Sequence, residues 1–286
     1  VAAVTADHDR VGAAAHGDLS WRRCYVLRNE ESPGLFHEQI NPTRSRLHGI
    51  VVRRGARVRA QDAASPDYAA IVAAPDRSDA DRQTDQRRQP ARMLAFAGVK
   101  PGMTILDMAA SAGYSTELLA RTVAPSGKVY AQDSASVLER FVKDKFDTRA
   151  KAPAMKNVVH VVRDYDDPIP PEVKDFDMIT FFFFYHDISY LPVDRDAMNR
   201  KMFAALKPGG YLVIADHSAK PGDGTNVAKT LHRIEESTLK QEIEAAGFKL
   251  VAEGDFLHHA EDPKDIPVFK AAVPIDEFVL KYQKPQ

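Results

Sequence analysis

Asp107 closes an apolar run, and the small residues Ala109, Ala110, Ser111, Ala112 and Gly113 follow it before a helical pattern opens at Tyr114-Ser115-Thr116. That order reads as a strand, a tight turn and a helix N-terminus, a place where backbone amides can approach a nucleotide-like ligand. Asp133, with Ser134 behind it, ends a second apolar segment about twenty residues further on, where a carboxylate can accept from both hydroxyls of a vicinal diol. A third segment, Val158 to Val162, is followed by Arg163-Asp164-Tyr165. Two histidines sit at the ends of later segments: His186 in Tyr185-His186-Asp187 and His217 in Asp216-His217-Ser218. An imidazole there can hold or take a proton near neutrality, which suits an acceptor that must be deprotonated or oriented. Each feature also has a plain structural reading. A strand-end acid often caps a turn, a strand-end histidine can simply bond backbone, and Phe181 to Phe184 fits a strand buried on both faces. Phe184 and Tyr185 are also candidates for a ligand-pocket wall. His217, His232 and Glu235 form an alternative grouping with metal-ligand chemistry, although no metal is expected.

Spacing narrows the ligand. A dinucleotide fingerprint would place its third small residue at position 114, where this chain has Tyr. Read as acid-x-G-x-G-x-G, the demanding positions are Asp107, Ala109, Ser111 and Gly113, all small after the acid. Only Gly113 is a true glycine, so Ala109 and Ser111 are expected to keep the turn compact at negative φ.

The elements needed to position these residues alternate from Gly98 onward. Strands are expected at 103–108, 129–133, 158–162, 176–185 and 211–216, with helices at 115–123, 135–146 and 195–206. A long helix is expected at 231–246, closed by Gly247, and two final strands at 248–253 and 278–283. Lys207-Pro208-Gly209-Gly210 reads as a helix stop. This alternation implies an α/β, doubly wound, mostly parallel open sheet. The last two strands, with no helical pattern between them, imply an antiparallel pair at the C-terminal edge. Upstream, Ser78 reads as an N-cap with acids behind it, and Pro90 should kink or divide the helix over 82–96.

The loop, the strand-end acids and Leu206-Lys207-Pro208-Gly209-Gly210 together resemble the class I S-adenosylmethionine (SAM) methyltransferases. The phrases Tyr185-His186-Asp187, Asp216-His217-Ser218-Ala219 and Leu231-His232-Arg233-Ile234-Glu235 are similar to a bacterial group of predicted methyltransferases. The resemblance covers about Pro75 to Lys284. It implies a Rossmann-like seven-stranded sheet with an antiparallel C-terminal edge strand and SAM as cofactor; it leaves the methyl acceptor open, for which a small molecule is expected. It further implies a cofactor site of Asp107, Ala109, Ser111, Ala112, Gly113, Tyr114, Asp133, Ser134, Asp164, Tyr165, Phe184 and Tyr185. Asp133 would meet the ribose and Asp164 the adenine amino group. His186 and His217 would face the transferred methyl group. A nicotinamide-dependent oxidoreductase and a non-catalytic SAM-binding protein are the competing readings.

Composition agrees with a soluble, cytoplasmic enzyme. At 286 residues and 44% hydrophobic content the chain can bury a full α/β core. A net charge of −1 gives no electrostatic case for nucleic acid or an anionic membrane as partner. One cysteine, Cys24, excludes an internal disulfide framework and a multi-cysteine zinc site. The nearly apolar run Met178 to Tyr185 is too short to span a bilayer, and no apolar leader segment is expected near the start. Residues 1–65 contain arginine but no lysine and show no sustained period, so a poorly ordered extension is expected there. Residues 66–99 are expected to form a helical segment and 100–286 the SAM-binding domain. The oligomeric state is not legible.

Overall fold

The computed structural model describes residues 65–286, and the expected extension at 1–65 falls almost wholly outside them. Apolar, β-branched and aromatic runs supply seven strands: β1 (Thr104–Met108), β2 (Lys128–Asp133), β3 (Val158–Val162), β4 (Phe176–Phe182), β5 (Leu206–His217), β6 (Lys249–Gly254) and β7 (Glu277–Gln283). They form one sheet in the order β3-β2-β1-β4-β5-β7-β6. β1 to β5 are parallel, and β7 pairs antiparallel with both β5 and β6. The expected antiparallel pair therefore lies at one edge of the sheet, with the C-terminal strand inserted between β5 and β6. Strand order reverses between β1 and β4, so a crevice is expected outside their carboxyl ends. The turn after Asp107, Asp133, Asp164, His186 and His217 all lie at or just beyond the carboxyl ends of these strands, whereas His232 and Glu235 lie between α-helical segments further along the chain.

Ten α-helical segments accompany the sheet. The first three are α1 (Tyr68–Val72), α2 (Asp79–Arg88) and α3 (Pro90–Ala97). Ser78 caps α2 by accepting from Asp81 N at 3.1 Å, and Pro90 opens α3 after Gln89 turns left-handed at φ 43°, so the expected division is present. α4 (Tyr114–Val123) follows β1, while α5 (Ala135–Val137) and α6 (Lys143–Arg149) follow β2. A π turn over Leu138–Val142 joins the last two where one regular helix was expected. α7 (Tyr185–Ile188) and α8 (Arg195–Ala205) lie between β4 and β5. β5 begins at Leu206, directly after α8, so the Lys-Pro-Gly-Gly run starts a strand irregularly, with a register shift opposite Phe176 and Met178.

The long helix expected at 231–246 is two pieces, α9 (Ala228–Leu231) and α10 (Glu236–Ala245). His232 breaks it at φ 55°. Tertiary bonds outcompete the helical pattern here. Ile234 N donates to His217 O at 3.0 Å, Ala219 N donates to Ile234 O at 2.9 Å, and the fully buried Arg233 pairs with Asp262 at 2.8 Å.

Apolar side chains fill both faces of the sheet. Phe181, Tyr185, Met198, Leu239 and Phe248 belong to one core, and Met93, Leu94, Leu118, Val213 and Val279 to the other. Helix α3 thus contributes to the core although it precedes the first strand. No helix among the described residues is long and apolar enough to cross a membrane.

Candidate active site

The turn after β1 departs from expectation in one physical respect. Ala109 and Ser111 adopt φ 52° and 56°, and Gly113 φ 79°. Alternate residues are therefore left-handed, which costs a side-chain-bearing residue about 1–2 kcal/mol each. Neighbouring strands hold the turn in place. Ala110 N donates to Gln132 O at 3.0 Å, Ala109 N to Gln132 Oε1 at 3.4 Å, and Ser111 N to Asp133 Oδ1 at 3.0 Å. Turns of this kind bring successive N–H groups together around a concavity suited to polar ligands. At Gly113 a Cβ would stand 3.0 Å from Arg149 Cδ and 3.3 Å from the Phe146 ring, so a side chain at this left-handed position would be both strained and crowded. Ala112 O accepts from Arg149 Nε at 2.8 Å.

The acids divide into structural and available ones. Asp107 is buried and accepts from Thr116 Oγ1 and Thr180 Oγ1, both at 2.7 Å. It fastens α4 to β1 and β4. Burial pushes its carboxyl up to about 6, against the pull of those two hydroxyl bonds. Asp133 is also buried. One carboxylate oxygen holds Ser111 N, and the other has no hydrogen-bond partner. His160 Nε2 stands 3.6 Å from that free oxygen, too far to bond it, and is itself unpartnered. Burial raises Asp133, opposed by His160 and by the Ser111 amide. Ser134 caps α5, accepting from Val137 N at 3.4 Å. Asp164 is exposed beyond β3, while Tyr165 next to it is buried with its hydroxyl unpartnered. The Tyr165 ring lies 5.6 Å from Phe184.

Two aromatic candidates are occupied elsewhere. Tyr114 donates to Asp85 Oδ1 of α2 at 2.6 Å. Tyr185 donates to Glu242 Oε2 at 2.7 Å and accepts from Asn199 Nδ2 at 2.8 Å. The Tyr114 hydroxyl ties α4 to α2, and the Tyr185 hydroxyl ties α7 to α8 and α10.

The two strand-end histidines do come together, with rings 5.4 Å apart. Asp216, at the end of β5, organises them. Its carboxylate accepts from His186 N and His217 N, each at 2.8 Å, and lies 2.6 Å from His186 Nδ1. Burial alone would lower His186, but Asp216 and Asp187 outweigh it and raise it to about 10. Burial lowers His217 to about 3, with Asp216 opposing. His217 Nδ1 is 2.9 Å from Glu277 Oε1 without the alignment of a hydrogen bond. Burial raises Glu277 to about 7 despite Arg87 and Arg88. From α2, the Arg88 guanidinium covers the Phe183 ring at 4.1 Å, and its buried Nε has no partner. Burial lowers Arg88 to about 10.

The grouping of His217, His232 and Glu235 is not assembled. Glu235 accepts instead from the amides of Gly222 and Gly224, each at 2.9 Å. His232 faces Asp187, with Nδ1 3.1 Å from Oδ1. Asp187, Asp216, Gln132, Arg88 and Glu277 were not among the expected site residues. Adjacency to the two histidines was the available signal for Asp187 and Asp216. Nothing local marked the other three, which arrive from α2, β2 and β7.

Comparison with known proteins accords with this geometry. The sequence model of the family described as "Methyltransferase domain" matches residues 99–266, more than half of the chain. The ubiquinone/menaquinone biosynthesis C-methyltransferase UbiE of Idiomarina loihiensis is 32% identical over 129 residues, which cover 45% of this chain and 48% of the relative. The match thus spans about half the length of that relative. A SAM-dependent methyltransferase from Aquifex aeolicus superposes with a TM-score of 0.51 at 20% identity, covering 71% of this chain and 96% of that one. The cyclase SpnF superposes with a TM-score of 0.52 at 16% identity, covering 71% and 82%. These two likenesses are of fold. With a family match over most of the sheet, the chain belongs to the methyltransferase domain family, with the fold of the class I SAM-dependent enzymes.

Proposed function

We propose that this protein transfers a methyl group from SAM to a small-molecule acceptor at the carboxyl ends of β4 and β5. The carrying observation is the Asp133 carboxylate, buried at the end of β2 with one oxygen fixed by the loop and the other unpartnered. A buried acceptor without a donor is costly, by about 1–3 kcal/mol, and a ribose hydroxyl is the donor that this position suits. Tyr165 and Phe184 supply an aromatic surface for adenine, with Asp164 at its open end. The left-handed turn at 109, 111 and 113 brings backbone rather than side chains against the cofactor. Bound SAM supplies an electrophilic methyl carbon on a positively charged sulfur. The work left to the chain is alignment of the acceptor in line with that carbon and exclusion of water. His186 and His217, fixed by Asp216, stand on the acceptor side. The likeness to a quinone-biosynthesis C-methyltransferase makes hydroxylated aromatic rings the first acceptor class to test.

Calorimetry on the full chain should show SAM binding and no NAD binding. Asp133→Ala should weaken SAM by about 1–3 kcal/mol through loss of charge-assisted bonds to the ribose. Turnover to S-adenosylhomocysteine should appear with a hydroquinone or phenol panel. Unchanged SAM affinity in a folded Asp133→Ala protein removes Asp133 from the cofactor site. Binding without turnover on any acceptor favours a SAM-binding role lacking methyl transfer.

A further inference from the structure

Three potential ligands converge at the mouth formed by the ends of β4 and β5 and the turn between α9 and α10. His186 Nε2 lies 3.2 Å from Asp187 Oδ1, and His232 Nδ1 lies 3.1 Å from the same carboxylate atom. One ligand atom from each of the three residues falls within 4.8 Å of the others. A tetrahedral metal with N and O ligands at about 2.0–2.2 Å holds those atoms about 3.4 Å apart. Two of the three pairs are near that spacing before any adjustment, and the third lies within 4.8 Å.

Two further observations suit a metal better than a solvated ion-pair network. The Nδ1 of His186 is held at 2.6 Å by the fully buried Asp216, which fixes the ring with Nε2 toward Asp187. A carboxylate on the far nitrogen is the usual support of a metal-bound imidazole. Exposure is also graded across the cluster: the side chains of His186, Asp187 and His232 are 3%, 19% and 27% exposed. The site is closed behind and open in front, where the ring of Phe269 stands 4.9 Å from His232.

We propose that His186, Asp187 and His232 bind one divalent transition metal of the zinc class, with a coordination position open toward the mouth. Two imidazoles and one carboxylate favour zinc, cobalt or ferrous iron over magnesium or calcium, which prefer all-oxygen shells. The open position takes water. Where the methyl-transfer reading holds, and resting on it, an acceptor hydroxyl is the ligand class that would replace that water.

The test is metal titration of the full chain, free of any added histidine tag and stripped with chelator, with neither SAM nor acceptor present. Cobalt(II) should bind at one equivalent, with the intense visible bands of a four- or five-coordinate site, and zinc should displace it. His232→Ala changes a partly exposed side chain and should leave thermal unfolding close to wild type while lowering cobalt affinity at least tenfold. Asp216→Asn, in which the orienting carboxylate is not itself a ligand, should lower it ten- to a hundredfold. Absence of stoichiometric binding by the wild-type chain overturns the proposal. So does an unchanged affinity and spectrum in folded His232→Ala. A protein that binds cobalt as described but not SAM would reject the methyl-transfer reading and leave the metal site standing.

Discussion

Asp107 illustrates how a residue singled out as a candidate ligand contact can be fully engaged within the fold. Both of its oxygens are used by Thr116 and Thr180, so it sets where α4 begins relative to β4. The neighbouring Asp133 charge adds to the burial that holds its carboxyl near 6, well above its ordinary 3.8. Because the folded state binds the proton more tightly than the unfolded chain, this contribution to stability is complete below about 3.8. It is lost as pH rises through about 6. The gap corresponds to about 3 kcal/mol. Wild-type stability, measured by denaturant unfolding between pH 4 and pH 8, should carry this downward component. Asp107→Asn keeps an acceptor for one threonine and offers an amide to the other, and it should remove that component. Parallel pH profiles for the two proteins would show that Asp107 is not the responsible group.

At the scale of elements, Arg149 is the joint that holds the N-terminal helices to the cofactor turn. From the end of α6 it makes two bonds of 2.8 Å to Asp81 of α2. It also reaches Glu117 of α4 at 2.5 Å and Ala112 O in the turn at 2.8 Å. Arg149→Met would keep most of the aliphatic packing, leave the buried Asp81 carboxylate without its guanidinium and leave the buried Glu117 to Arg121 alone. Removing one partner of a fully buried pair costs about 3–5 kcal/mol, and the partial exposure of this one reduces the expected loss to about 2–3 kcal/mol. Chemical denaturation of the variant measures it, and a loss below 1 kcal/mol would mean that α2 is held by other contacts. Such a joint was not legible in the sequence, because its three partners come from separated segments. What was legible was whatever repeats locally: the period-2 and apolar runs of β1 to β4, the cap at Ser78 and the break at Pro90. His232 escaped because the pattern Leu231 to Ala246 has helical periodicity, and only the bonds of Ile234 to β5 interrupt it. The left-handed Ala109 and Ser111 escaped for the same reason, since the bonds that enforce them come from Gln132 and Asp133, one strand away.

For the whole molecule, the decisive feature is the place of β7. It carries Phe278, Val279, Leu280 and Tyr282 into the core, pairs along β5 from Tyr211 to His217, and is also the strand on which β6 forms. It delivers Glu277 to the side of His217 as well. A chain ending at residue 276 therefore loses one strand outright and the pairing partner of another. It should show no cooperative thermal transition, or should be recovered only as aggregate. A soluble truncated chain melting within a few degrees of wild type would show that β1 to β5 with their helices stand alone.

The same insertion gives the protein a particular history each time it is made. β5 emerges before β6, and β6 before β7; β5 can pair with β4 on one side, but its other neighbour, which is also the partner of β6, appears last. During that interval β5, destined for the interior, is an edge with a row of unsatisfied donors and acceptors, the kind of surface that captures other chains. Between the synthesis of His217 and that of Gln283, the nascent molecule is thus a half-sheet with a sticky border. The surroundings in that interval, more than the finished fold, govern how many copies reach the native state.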